Sequence, residues 1–330
     1  MLGIAALAPL AAAGGATGQV ASALDYAIYA AAPTKVDIGG RRIALRCAGT
    51  GGPTVVLDTG LGGWSIHWWL VQPVLAKRVR TCACDRAGFG DSDPPPGPQT
   101  VGDVARDLHA ALRAAREKPP YVLVGQSLGG VEVRLFTQRW RHEVAGMVLV
   151  DSSFADQVTV KRALPGWDAA ADRKKRDDNL DCARRAAAPS FKPGNDAYAR
   201  CAFPPPDGAP AVIAATWPHY FTPSYFTSSQ PLSDSLSGTR FLRADKLKLG
   251  VMPLVVLTGL NRPAPARGQE QYMKRWLAIW QERHEALARM SSRGVHRIVA
   301  DSGHNIQFDQ PQAVLAAIDQ VLDQLGAEAR

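Results

Sequence analysis

The chain has 330 residues, 46% of them hydrophobic and 21% charged, which is ordinary for a globular protein with ample core. The length allows one large domain with an insertion, or two domains. The net charge is +8 and the pI near 9.4, yet the basic residues are scattered, apart from a run at Arg173 to Arg176 that Asp172, Asp177 and Asp178 flank. That run reads as a solvated helix face, and with no nucleic-acid-binding motif or internal repeat, a nucleic-acid partner is excluded.

Met1 to Leu24 carries no charge and is rich in Ala, Gly and Leu. Residues 1–30 read as a signal peptide, a membrane anchor or a remnant of either, without the basic start of a good signal. An exported or membrane-associated protein is expected, with possible membrane association through this segment; a cytoplasmic protein with a surface-bound N-terminal helix is the alternative. The five cysteines fit export. Cys47 with Cys82 and Cys182 with Cys201 are candidate bridges, leaving Cys84 over; sequence does not fix the pairing. No C-x-x-C pair or Cys/His cluster has zinc spacing.

Lys35 to Ile38 and Arg41 to Cys47 predict a hairpin with a Gly39-Gly40 turn. Pro53 to Asp58 predicts a buried strand ending in the Gly-rich turn Thr59 to Trp64. Ser65 to Val79 has a helical pattern, and Val79 to Cys84 a strand. Pro94 to Pro96 breaks the chain. Thr100 is placed to cap a helix with Asp103 at its third position, and Val104, Leu108 and Leu112 recur at helical spacing. Tyr121 to Val124 is a short apolar run followed at once by Gly125-Gln126-Ser127-Leu128-Gly129 and a helical segment from Val131 to Trp140.

Strand, G-x-S-x-G, helix is the signature of a nucleophile elbow, a tight turn that lifts a serine hydroxyl clear of a sheet. Here the chain resembles the α/β-hydrolase superfamily, from about Thr34 to Leu325, and is most similar to cap-bearing serine esterases. The resemblance implies an α/β-hydrolase fold, with a mostly parallel central sheet flanked by helices and an inserted cap. It implies that backbone N–H groups of Leu61 and Leu128 form an oxyanion hole; Thr59 stands where the superfamily commonly has histidine. Asp85 to Ser92 resembles the superfamily's structural D-x-x-G-x-G-x-S loop, with Asp85 and Arg86 read as charge partners.

Ala145 to Val150 predicts another strand, with Asp151 at its C-terminal end, where open α/β sheets place their sites. From Ser152 to about Lys248 the pattern dissolves into prolines, charges and aromatics, which reads as the cap over 153–248, between core segments 31–152 and 249–330. Met252 to Thr258, Gln269 to Met290, Val295 to Ala300 and Pro311 to Leu325 predict strand, helix, strand and helix. Trp276 and Trp280 read as a core stripe.

Acyl transfer by serine needs a base, a group that orients it, and oxyanion donors. His304 follows the last strand, where the superfamily keeps its histidine. The turn Gly259 to Arg262, where most members carry the acid, holds no carboxylate. Asp151 is therefore the expected acid, as in members that take it from the preceding strand; a strand-end cap is the competing reading. Asp301 and Asp309 lie too near His304 in sequence. Trp64, Gln126, Phe154 and Trp217 are the expected substrate contacts, and His67 has no assigned role. The expected activity is hydrolysis of small-molecule or polymeric carboxylic esters through an acyl-enzyme, without metal or organic cofactor. Amide or peptide hydrolysis, acyl transfer to an alcohol, or a non-catalytic binding protein of the same fold are the alternatives.

Overall fold

The computed structural model describes residues 25–236 and 247–328; the uncharged N-terminal segment read above as a leader or anchor lies outside them. The strands are β1 (Thr34–Asp37), β2 (Arg42–Ala48), β3 (Thr54–Asp58), β4 (Thr81–Cys84), β5 (Tyr121–Gln126), β6 (Val144–Val150), β7 (Leu254–Gly259) and β8 (Gly294–Val299). The longer helices are α1 (Val101–Ala114), α2 (Leu128–Arg139), α3 (Ala169–Ala186), α4 (Pro223–Ser235), α5 (Glu270–Ala288) and α6 (Pro311–Glu328). The strands form one eight-stranded sheet in the order β1-β2-β4-β3-β5-β6-β7-β8. Only β2 runs against its neighbours; the pairs from β4 through β8 are parallel.

The central strands β3, β5 and β7 are mostly apolar and buried along their whole length because helices cover both sheet faces. On one face Val56, Leu123, Leu149 and Val256 pack against Leu108 and Leu112 of α1 and Val133 and Phe136 of α2. On the other, Val55, Val124, Val148 and Leu257 meet Trp68, Leu75 and Val314, Ile318 and Val321 of α6. The period of two along each strand sorts these sets. Thr100 caps α1 as expected, accepting from Asp103 N while the Asp103 carboxylate accepts from Thr100 N.

The expected helix over Ser65 to Val79 is two short turns, Ser65–Trp68 and Gln72–Leu75. Pro73 has no N–H to bond backwards, so it restarts the helix instead of continuing it. Between β6 and β7 the chain is an insertion of helices: Gln157–Ala163, α3, Asp196–Cys201, Ala211–Thr216, a turn at Trp217–Tyr220, and α4. Its Trp217, Tyr220, Phe221, Tyr225 and Phe226 are buried in one cluster with Trp64, Phe89 and Leu128 of the sheet domain. The disulfides are Cys47–Cys82, across β2 and β4, and Cys182–Cys201, within the insertion; Cys84 is free and buried. No helix among the described residues is long and apolar enough to cross a membrane.

Candidate active site

Ser127 sits between β5 and α2 with φ +52° and ψ −116°, a conformation that side chains avoid at a cost of about 1–3 kcal/mol. Its neighbours hold it there. Ser127 N donates to the Val150 carbonyl at 3.0 Å, and Ser153 N donates to the Ser127 carbonyl at 2.8 Å. Strand and helix can meet this tightly because the flanking residues are glycines. A Cβ on Gly125 would lie 2.5 Å from the Gly129 carbonyl oxygen, and one on Gly129 would lie 2.5 Å from that of Thr59. Leu128 is the first residue of α2, so its N–H has no acceptor inside the helix and lies at the positive end of the helix dipole.

Ser127, His304 and Asp151 come together from chain positions up to 177 residues apart. His304 Nε2 is 2.9 Å from Ser127 Oγ, and His304 Nδ1 is 2.6 Å from Asp151 Oδ2. Asp151 is completely buried and has φ +43°. Four donors meet its carboxylate. Gly259 N (3.0 Å) and Trp280 Nε1 (2.9 Å) reach Oδ1, while Arg262 Nη2 (2.6 Å) and His304 reach Oδ2. Burial pushes this carboxyl up, but the hydrogen bond and charge of His304, with Arg262 and His284, outweigh burial and hold it below its ordinary value. A serine hydroxyl, an imidazole and a charged carboxylate in this sequence can carry a proton off the hydroxyl and stabilise the resulting imidazolium.

Two of the donors come from the turn after β7, the stretch whose lack of a carboxylate pointed to Asp151. A third, Trp280, has its ring among core aromatics as expected, but its indole N–H holds the acid, which helical spacing does not signal.

The turn after β3 runs over Ser127: a Cβ on Gly60 would lie 3.0 Å from Ser127 Cβ. Leu61, next along, is exposed. Arg86 fixes this turn, donating to the carbonyls of Thr59 and Gly60. Asp85 is not its partner, contrary to the expectation from their adjacency. Arg86 pairs with Asp58 (2.8 Å) and Glu132 (2.6 Å), all three buried, and Asp85 instead accepts from Ser65 N and Asp91 N. Adjacent strand-end residues point apart, so the contact is made across the sheet. Burial pushes the Glu132 carboxyl well up, and Arg86 pulls it back. Arg86→Met is expected to remove about 3–5 kcal/mol of stability, because two buried acids lose their cation. Urea unfolding measures this, and a loss below about 1 kcal/mol would mean that neither acid needs the charge.

A profile of the Alpha/beta hydrolase family matches residues 55–317. The chain belongs to the alpha/beta hydrolase family. The fold of this hydrolase is shared by a thermophilic esterase from Thermogutta terrifontis, with TM-score 0.61, 21% identity, and coverage of 89% of this chain and 99% of that one. It is also shared by Est816, described as an N-acyl homoserine lactone degrading enzyme, with TM-score 0.59, 18% identity, and coverage of 87% and 99%. Among curated proteins, the uncharacterized YqjL of Bacillus subtilis is 24% identical over 278 residues, covering 82% of this chain and 83% of the relative. A probable transporter of Hormonema carpetanum, efuK, is 34% identical over 130 residues, but the match spans only 18% of its length.

The expected substrate contacts of this α/β-hydrolase are all buried. Trp64 and Trp217 pack on each other with ring centroids 4.8 Å apart, and Phe154 packs on Trp276 and Trp280. Gln126 uses its amide to donate to the His304 carbonyl at 3.1 Å, which steadies the histidine loop. His67 lies between Trp64, Trp217 and Phe308, its Nδ1 accepts from Trp64 N, and burial brings it down to about 4. The one group of possible metal ligands among the described residues is Cys47, Cys82 and Glu117, but both sulfurs are used by the disulfide.

His284, which motif reading passed over, is fully buried beside Asp151, and burial lowers it to about 4. An unfolded histidine takes a proton near pH 6.5. The stabilising effect of neutral His284 is therefore complete above about pH 6.5 and is lost as pH falls towards about 4. Across that window His284→Gln should lose less stability than the wild type, by on the order of 3 kcal/mol. Parallel stability–pH curves for the two proteins would contradict this.

Proposed function

We propose that this chain is a serine hydrolase that cleaves carboxylic esters through an acyl-enzyme. The observation that carries the reading is the continuous Ser127 Oγ–His304–Asp151 chain, with contacts of 2.9 and 2.6 Å, built on a strained strand-to-helix turn. His304 Nε2 takes the Ser127 proton as Oγ attacks the ester carbonyl carbon. The N–H groups of Leu61 and Leu128 receive the oxyanion. His304 then protonates the departing alcohol, the carbon–oxygen bond breaks, and Ser127 carries the acyl group. Water attacks that ester, gives its proton to His304, and the carboxylic acid leaves as Oγ takes the proton back. Asp151 keeps His304 in its Nδ1–H form and stabilises the imidazolium.

Epoxide hydrolases also share the fold, one, CorEH, at TM-score 0.56. The serine at position 127 favours acyl chemistry over epoxide opening, which relatives perform with aspartate at the elbow. The helical insertion serves as a cap that brings aromatic residues over the core, which favours apolar or aromatic acyl groups. Two disulfides and the uncharged N-terminal segment favour export.

Hydrolysis of p-nitrophenyl esters from acetate to palmitate tests the reading, and the chain-length profile sizes the acyl pocket. Anilide substrates and added alcohol acceptors separate amidase and transferase activity. A folded protein that turns over no ester and does not react with a fluorophosphonate at Ser127 would be a binding protein instead.

A further inference from the structure

Beneath Asp151 lies a polar chain that the proposed cycle does not use. His296 Nε2 is 2.8 Å from Thr258 Oγ1, Thr258 Oγ1 is 2.5 Å from His284 Nδ1, and His284 Nε2 is 2.8 Å from the Ser152 carbonyl oxygen. Thr258 and His284 are completely buried, while His296 is half-buried on the edge strand β8.

The direction of every bond follows from one end. A carbonyl oxygen only accepts, so His284 Nε2 carries a hydrogen. Burial keeps the ring neutral, so Nδ1 is bare and accepts. The Thr258 hydroxyl must then donate to it, and the Thr258 oxygen accepts from His296 Nε2–H. Either charge state of His296 can supply that hydrogen.

This arrangement bears on Asp151 in two ways. The Nε2–H bond pins the Ser152 carbonyl, one peptide beyond an acid held at φ +43°. The other ring nitrogen, Nδ1, lies 4.0 Å from Asp151 Oδ1. A proton placed there would set an imidazolium against the carboxylate that orients His304. Asp151 attracts such a proton; His296 and Arg134 oppose it, and Glu285 faces His296. The hydroxyl of Thr258 already occupies Nδ1 with a hydrogen of its own.

We infer that the Ser152 carbonyl holds the buried His284 in its Nε2–H tautomer and that Thr258, donating to Nδ1, completes the lock and reserves the Asp151 carboxylate for His304, an inference that rests on the ester-hydrolase reading. Thr258 and His284 are positioning residues: neither touches substrate. The lock explains how a second histidine can lie against the acid without competing for it.

The test is the pH profile of kcat/KM for a p-nitrophenyl ester. Thr258→Val keeps the shape but removes the donor; protonation of His284 should then join the acid limb, which steepens from one proton towards two and falls about tenfold below the wild type about one pH unit under the raised His284 value. Thr258→Ser should restore the wild-type limb. His284→Gln can still donate to the Ser152 carbonyl but cannot be protonated, so the double variant Thr258→Val/His284→Gln should return to a single-proton limb. A Thr258→Val profile that overlays the wild type, or a double variant that keeps the steepened limb, overturns the lock. Nitrogen-15 NMR of the histidine rings gives a readout that does not need turnover. Wild-type His284 should show the Nε2–H form without titrating above about pH 5, and in Thr258→Val it should titrate at least about one unit higher. A wild-type Nδ1–H form, or no change in the variant, refutes the lock even if the esterase reading also fails; a wild type inactive on esters with the expected NMR behaviour overturns only that reading.

Discussion

Ser127→Ala is expected to lower kcat for ester hydrolysis by about 10⁶-fold, because in the proposed cycle Oγ is the atom that forms and breaks the acyl bond. What survives is the part owed to binding and oxyanion donors, about 10³–10⁴ over water. The fold should be intact. The hydroxyl bonds only to His304 among the described residues, and the strained backbone at φ +52° is held by main-chain bonds to Val150 and Ser153 that alanine keeps. Steady-state kinetics, circular dichroism and loss of fluorophosphonate labelling together measure this. Residual activity above about one per cent would identify a different nucleophile, since removing a sole nucleophile leaves far less.

Asp151→Asn should cost about 10⁴ in kcat. All four partners of the carboxylate are donors, two on each oxygen. An asparagine amide placed either way therefore turns its NH₂ against a pair of donors. With the NH₂ towards His304, the imidazole is driven into the wrong tautomer and Arg262 meets a second positive edge. With the NH₂ towards Gly259 and Trp280, two buried N–H groups lose their acceptor, at about 1–3 kcal/mol each. The variant should be both slow and less stable, in contrast to Ser127→Ala. Retention of nearly full kcat would remove Asp151 from the mechanism and leave it as a strand-end cap.

Much of this was legible in the chain itself. The apolar runs at Tyr121 to Val124 and Met252 to Thr258 marked buried strands because both faces of each are covered, and Thr100 with Asp103 marked a helix start because capping is local chemistry. Ser127 and His304 stood out by position relative to strands, and Asp151 by a vacancy elsewhere. What could not be read depends on contacts across the fold. Arg86 reaches Asp58 and Glu132, 28 and 46 residues away, and no periodicity announces that. The same holds for Trp280, whose spacing shows a buried helix face but not where its indole N–H points. The region 65–79 failed for a local reason, Pro73, that a helical pattern of apolar residues obscured. Aromatics of the insertion such as Phe221, the expected contact Trp217 aside, were not assignable to pocket or core because short helices give too few repeats to define a face.

The setting of the Asp151 carboxylate also limits where this lineage can go. Here the turn after β7 is donor territory, with Gly259 N–H and Arg262 both committed to Asp151. An acid restored in the turn while Asp151 remains puts two carboxylates in competition for one imidazole. Loss of Asp151 first strands a buried cation and two N–H groups. On the proposed mechanism each single mutant is expected to be less active than either endpoint, so moving the acid between strands needs substitutions at both sites together. Combinatorial libraries that vary 151 together with 259–262 should therefore recover active pairs that stepwise selection misses.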